Sequence, residues 1–327
     1  MISHRIRNHG FTLVELMVAM VVGLLISGVA IAVFAMTKNT SRIGDALSRY
    51  QEGFRFGTQV MSRDIRMAGY FGCNSTLNHQ PADLISGTVD DTHYTGAIKG
   101  YGGTESIATL TNRVSGTDAL RIQFGNAESH RLSEAMTDKS SEVKLNKTSD
   151  FKAGDSVVIA DCSAASSFKL TSVETAGSVT TLEHTTASNS SAELAKKFDT
   201  SAEVYALETT YFYVAQNGER HLLMRKILRG STMTEEEIAD GIMDLKLLYG
   251  IDTDSDTQPN KYVKSTDVTN WNTVSAVRLC MISRSENDNL SSKAQKYYDC
   301  SGTQVTASDR RLYAPVFLTI SLRNRTN

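Results

Sequence analysis

The sequence predicts an α+β fold, with one long N-terminal helix packed on a large, mostly antiparallel β C-terminal region. Three observations carry this. Residues 11–36 form an apolar run long enough to cross a bilayer core as one helix. A helical period continues beyond it in polar sequence. Ile43, Leu47, Tyr50, Phe54, Met61, Ile65 and Ala68 recur at steps of three, four and seven, with Gly57 in the same seam. From residue 118 onward, short alternating stretches are separated by turn signals, the strongest being Asn217–Gly218.

The helix is set up by what precedes it. Residues 1–10 form a short basic leader carrying Arg5 and Arg7, and the only ionisable side chain within the apolar run is Glu15. A lone carboxylate in hydrocarbon costs about 2.5–3.5 kcal/mol, so Glu15 asks for a partner. Past residue 36, the charged residues Arg42, Asp45, Arg49, Glu52, Arg55, Arg63, Asp64 and Arg66 fill much of the helix outside the apolar seam. A continuous helix over 11–67 would be on the order of 85 Å long. Gly44, Gly53 and Gly57 are its weak points, and the glycine-rich stretch 69–73 stops it.

The β region divides by pattern. Residues 74–116 read as irregular, and strands are expected at 118–125, 155–162, 167–173 and 179–183, with 188–200 a polar surface connection. A second set follows at 207–215 and 220–228, flanking Asn217–Gly218, and then at 242–251, 274–284 and 313–323. Thr234-x-x-Glu237 has the spacing of a capping box opening a short helical turn. The expected organisation is a leader (1–10), a transmembrane or filament-core helix (11–36) and an amphipathic continuation (37–68). A first β-rich region (69–200) and a second antiparallel region (201–327) complete it.

Composition excludes several functions. A formal net charge of −2 speaks against a strongly basic nucleic-acid binder, and no nucleic-acid partner is expected. Lys196–Lys197 and Arg225–Lys226 with Arg229 read as solvated strand faces. Beyond the leader, His79, His93, His130, His184 and His221 are scattered without H-x-x-x-H spacing, and no G-x-S-x-G, Walker A or Rossmann fingerprint occurs. The chain therefore reads as non-enzymatic, with no catalytic residues and each histidine at the surface.

Two further groups of residues carry chemistry. Cys73, Cys162, Cys280 and Cys300 contain no C-x-x-C, which argues against zinc and, on the far side of a membrane, for two disulfides. Three pairings are open. Cys280–Cys300 is favoured because about twenty residues join two expected strands, leaving Cys73–Cys162. Asp252, Asp254 and Asp256 have the 1-3-5 oxygen spacing of a Ca²⁺ loop. Thr257 stands where such a loop has its turning glycine and Val263 where it has its bidentate glutamate, so an acidic loop without metal is the competing account.

Gly10–Phe11 followed by Glu15 and the apolar run resembles the class III signal of type IV pilins and of type II secretion pseudopilins. An ordinary secretory signal fits less well, because the run is longer than a usual h-region and carries its charge near the start. A plain anchor does not account for Gly10–Phe11 beside Glu15. The resemblance implies cleavage after Gly10 by a prepilin peptidase, N-methylation of Phe11, and a salt bridge from Glu15 to the N-terminal amine of a neighbouring subunit. Later stretches resemble the PilW type of minor pilin: residues 66–73, Gly154–Asp155 with Asp161–Cys162, residues 249–254, and Arg310–Leu312 with Ser321–Asn324.

That likeness runs the length of the chain and implies a minor pilin that helps prime pilus assembly at the filament tip. Its implied partners are other minor pilins, the major pilin, the peptidase, the inner-membrane assembly platform and a tip adhesin. Its implied location is the inner membrane, with a periplasmic C-terminal part, before assembly and the pilus after it, with roles in twitching and adhesion. The rivals are a minor pseudopilin of type II secretion and a membrane-tethered periplasmic binding module.

Overall fold

The computed structural model describes residues 12–74 and 80–325. Gly10, Phe11 and His79 lie outside the described residues. Helix α1 spans Leu13–Met67, 55 residues without interruption. Thr12 caps it: its Oγ1 accepts the Glu15 N–H at 3.3 Å, and Glu15 Oε2 accepts the Thr12 N–H at 3.5 Å. This reciprocal arrangement satisfies two of the amide groups that a helix start leaves without carbonyl partners. Ala68 ends the helix, and Gly69, at φ +73°, turns the chain away.

Seventeen strands follow among the described residues. In chain order they are β1 (Ala82–Asp83), β2 (Ile98–Tyr101), β3 (Ala119–Arg131), β4 (Val143–Leu145), β5 (Ser156–Ala160) and β6 (Ala165–Lys169). Next come β7 (Ser172–Ala176), β8 (Val179–Glu183), β9 (Glu203–Asn217), β10 (Arg220–Arg229), β11 (Thr232–Asp240) and β12 (Ile242–Ile251). The last are β13 (Lys261–Val263), β14 (Val274–Arg284), β15 (Lys296–Tyr298), β16 (Gln304–Thr306) and β17 (Tyr313–Ser321).

An eight-stranded sheet runs β1-β6-β5-β9-β10-β11, with β3 also on β9 and β2 on β3. It takes strands from both sides of residue 200. Every pairing in it is antiparallel except β1 with β6. A four-stranded sheet, β13-β12-β14-β17, is antiparallel throughout. The set β4-β8-β7 and the hairpin β15-β16 complete the described strands.

The lower part of α1 sits between the two larger sheets. Met61, Ile65 and Ala68, fully buried, share one core with Leu120, Phe212 and Leu223 of one sheet and Leu247, Leu279 and Ile320 of the other. Gly57 allows a close approach here, since a Cβ on it would lie 3.2 Å from Leu223 Cδ2. The seam is shifted from the expected one at its upper end. Ala46 is buried and Leu47 is 43 % exposed, so small residues face the fold where the helix first meets it. A second core, including Leu145, Ile159, Phe168, Leu182, Leu194 and Phe198, lies between the β4-β8-β7 set and β5-β6.

Four expectations need correction. Residues 232–240 form β11, not a helical turn: Glu235 and Glu236 lie opposite Lys226 and Arg225, and these cross-strand pairs outweigh the local capping pattern. The stretch 167–173 breaks at Leu170–Thr171 into β6 and β7. Residues 188–200 are anchored, not a free surface connection. Leu194 and Phe198 are buried, and Asn189 exchanges hydrogen bonds of 2.8 and 2.9 Å with the Lys169 backbone. The hairpin turn sits one residue on, because Asn217 pairs with Arg220 and Gly218 takes φ +61° as its first central residue.

Candidate functional site: the N-terminal helix and the residues that seat it

The two ends of α1 stand in different surroundings. From Thr12 to Arg42 every residue of the chain is exposed. Leu13, Leu24 and Phe34 are each at least 70 % exposed. Fully burying one such side chain is worth about 1.5–3 kcal/mol, so a largely apolar surface of this length has to be covered by lipid or protein. Among the described residues, this is the one helix long and apolar enough to cross a membrane. Glu15 lies on this surface, and its hydrogen bonds here are the long capping contacts at its own helix start. Its carboxylate therefore remains accessible to a cation.

Where the helix meets the fold, the loop after β14 braces it. Arg42 Nη2 donates to the Asp288 carbonyl at 3.2 Å. An apolar groove of about 630 Å³ opens between Phe34, Lys38 and Ala46 on the helix and Asn287 on the loop.

Lower down, a charge cluster pins the helix to the larger sheet. Asp64, with a side chain 3 % exposed, pairs with Arg63 Nε at 2.9 Å and Arg225 Nη2 at 2.8 Å. Arg225 Nη1 also reaches Glu236 at 2.8 Å, and the buried Glu208 holds Arg229 at 2.8 Å. Burial pushes the Asp64 carboxyl above its usual range, against the opposing pull of Arg225 and Arg63. Sequence reasoning placed Asp64 among the outward charges and Arg225 on a solvated face. The missed signal is spacing, since Asp64 falls three residues after Met61 and four before Ala68, within the buried seam.

The structure joins Cys73 to Cys162 and Cys280 to Cys300. The first bond ties the segment just after α1 to the end of β5, and the second ties β14 to the β15–β16 hairpin. Beside Cys162, burial would raise Asp161. Lys196 Nζ at 2.6 Å, together with the Ser163 and Ala164 amides, outweighs it and holds the carboxyl at about 2.

Asp252, Asp254 and Asp256 occupy the loop between β12 and β13, with carboxylate oxygens within 4.8 Å of one another. The loop also closes on itself: Asp252 accepts the Ser255 and Thr257 amides at 2.7 and 2.9 Å, and Asp254 accepts Asn260 Nδ2 at 3.0 Å. Val263 lies in β13, so the position of a closing carboxylate is taken by a strand residue. The histidines expected at the surface are in part internal. His93, His130 and His184 are buried, and burial lowers the pKa of His130 and His184, leaving both rings neutral at pH 7.

Residues 5–36 match the family of the prokaryotic N-terminal methylation motif, and residues 211–324 match the type IV pilus-assembly protein W family. The second match begins inside β9 and ends in the 3-10 turn after β17, so it takes in β10, β11 and the whole four-stranded sheet. A pilin-like protein, PilA3, of Thermus thermophilus is 37 % identical over 77 residues, 24 % of this chain. The chain spans about a third of the length of that curated relative (33 %). No solved structure matches. Residues 37–210, which hold the lower helix and the second core, fall in neither family match. With a methylation motif on a membrane-length helix at one end and a PilW-type sheet at the other, the chain is similar to type IV pilin-family proteins over both matched stretches.

Proposed function

We propose that the chain is a minor pilin, a structural subunit that helps prime type IV pilus assembly, is located at the filament tip, and has no reaction of its own. The observation that carries this is the division of α1: thirty-odd exposed, mostly apolar residues bearing Glu15, continuous with a half seated between two sheets. An apolar helix held clear of its own fold suits first a bilayer and then a bundle of like helices. Cleavage after Gly10 would free the amine of Phe11, and Glu15 of the same surface would pair with that amine on a neighbouring subunit. The pair replaces a lone carboxylate in hydrocarbon by a neutralised one.

In this reading the helix anchors the chain in the inner membrane with its C-terminal part in the periplasm, and assembly carries it into the pilus. Other minor pilins, the major pilin, the assembly platform and a tip adhesin would contact it. The expected organisation of the chain, from leader to second β region, is part of the same proposal. Asp252, Asp254 and Asp256 would offer Ca²⁺ three oxygens, and without a bidentate carboxylate the affinity would lie at about millimolar or weaker. Calorimetry without heat at millimolar calcium removes that site.

Intact mass and N-terminal sequencing, from cells with and without prepilin peptidase, test the main reading. The expected product begins at methylated Phe11 only when the peptidase is present, and an uncut chain in both backgrounds overturns the proposal. Deleting the gene separates the rivals. Loss of surface pili and twitching supports the pilus, loss of exoprotein secretion the pseudopilus, and neither loss a tethered binding module.

A further inference from the structure

The two larger sheets end in unlike edges. β11, the outer strand of the eight-stranded sheet, carries Glu235, Glu236 and Glu237 in succession. Charge of this kind blocks edge-to-edge pairing. β17, the outer strand of the four-stranded sheet, is nine residues long, and no charged residue occurs from Ala314 to Leu322. Its register on β14 runs without a bulge. The direction of its free groups follows from one contact at its end and the register. Leu322 N–H donates to the Ser275 carbonyl at 2.9 Å, so residues 314, 316, 318 and 320 also turn their backbone groups to β14. Residues 313, 315, 317, 319 and 321 turn theirs outward.

Tyr313, at the upper end, has both its outward groups taken by the Gln295 side chain, at 2.7 and 2.8 Å. Pro315 lacks an N–H where that N–H would point outward, as suits an edge. The outward N–H and C=O of Phe317, Thr319 and Ser321 have no hydrogen-bond partner among the described residues. Phe317 is also 60 % exposed. At the Ser321 end, a groove of about 510 Å³ lies between Phe56, Val60, Arg63 and Arg66 of α1 and Arg323, which follows β17 by two residues. Its floor is apolar and its rim basic.

We propose that the β17 edge is a strand-addition site, taking an extended segment of a partner protein. The segment is uncharged where it pairs with Phe317–Ser321 and carries a carboxylate where it enters the groove between Arg63, Arg66 and Arg323. Backbone bonds at every second residue supply affinity, and the groove supplies direction and charge preference. Three outward residues on one edge call for a partner strand of at least five residues, spanning about 17 Å. The proposal concerns the globular part and does not depend on how the N-terminus is processed.

The test uses the full chain in detergent micelles and two nine-residue probe peptides of alternating valine and threonine, one ending in glutamate and the other in lysine. Amide hydrogen exchange is the readout. The glutamate peptide is expected to slow exchange at Phe317, Thr319 and Ser321 about tenfold, and the lysine peptide to act at least tenfold more weakly. Thr319→Pro removes one outward N–H, as Pro315 already does, and is expected to abolish the protection while exchange at Leu318 and Ile320 stays unchanged. Thr319→Lys, which keeps the backbone N–H, is expected to weaken binding by placing a charge on the pairing edge. No protection at millimolar peptide overturns the proposal, as does binding that survives both variants. Protection of the same amides without peptide, rising with protein concentration, would assign the edge to a second copy of the chain and overturn the partner.

Discussion

The upper and lower halves of α1 share one backbone and one hydrogen-bond ladder, yet differ in what surrounds them. Ile26 is 65 % exposed and Ile65 is 0 % exposed, on the same helix. The lower half draws its stability from Met61, Ile65 and Ala68 against two sheets, and from Asp64 against Arg225. The upper half buries no side chain in its own fold. A single helix can thus be a core element at one end and an unfilled interface at the other. Changes in the two halves should separate assembly from folding.

The largest effect expected is on assembly. Glu15→Gln keeps an amide able to reach back to Thr12 and removes only the charge. Its incorporation into sheared pili is expected to fall at least about a hundredfold, while the unfolding midpoint stays that of the parent; one broken ion pair in a low-dielectric setting is worth about 3–5 kcal/mol. Immunoblots of sheared and membrane fractions measure it, and incorporation at the parental level would detach Glu15 from assembly. The converse change breaks folding and leaves the upper half intact. Replacing Cys73 and Cys162 by serine opens a link between residues 89 apart, expected to cost about 4–5 kcal/mol, against about 3 kcal/mol for Cys280 with Cys300, 20 apart. Denaturant unfolding of the two double variants gives the comparison, and equal losses would argue that loop entropy is not the cause.

The next pair tests the comparison within one residue type. Ile65→Ala should cost about 3 kcal/mol through lost burial and a residual cavity, and Ile26→Ala should cost the fold nothing. A measurable loss for Ile26→Ala would mean that the upper helix does pack on its own domain.

This contrast also explains what could be read from the sequence. The helix was legible over nearly its whole length, because periodicity and hydropathy are local. So were β8, β10, β12, β14 and β17, each within a residue or two over most of its span. Asp64 was not legible as buried, because its partner Arg225 is distant in sequence and comes near only through the pairing of β9 with β10. Residues 232–240 misled in the opposite way, since Thr234-x-x-Glu237 is a valid local signal overruled by Lys226 and Arg225 across the ladder. The second core went unseen because β4 is three residues long, too short for alternation to stand out, and β6 and β7 read as one strand. Of the assembly residues, Glu15 was visible from its isolation in the apolar run. The open edge of β17 was not, since an edge exists only once strand order is known.

The smallest effect expected lies at Asp161, outside the helix, and is a matter of pH. Asp161 sits beside Cys162 with its side chain 8 % exposed, and Lys196 Nζ lies 2.6 Å away. Its carboxyl is held at about 2 in the fold against an ordinary 3.8, so the folded chain binds fewer protons than the unfolded one in that interval. The stabilisation is therefore complete above about pH 4, falls as the pH drops through 3.8 toward 2, and is gone below that. Asp161→Asn lacks the titrating group and should be less stable by about 1.5–3 kcal/mol at pH 7, the range of a hydrogen bond to a charged partner. Urea unfolding from pH 7 to pH 2 should show the gap constant down to about pH 4 and closing by about pH 2. A gap that persists at pH 2 would mean that the shape of the Asp161 turn, with its Ser163 and Ala164 amides, matters more than the charge on Lys196. Because Lys196 belongs to the segment 188–200, the same titration tests whether that segment is fastened to the second core.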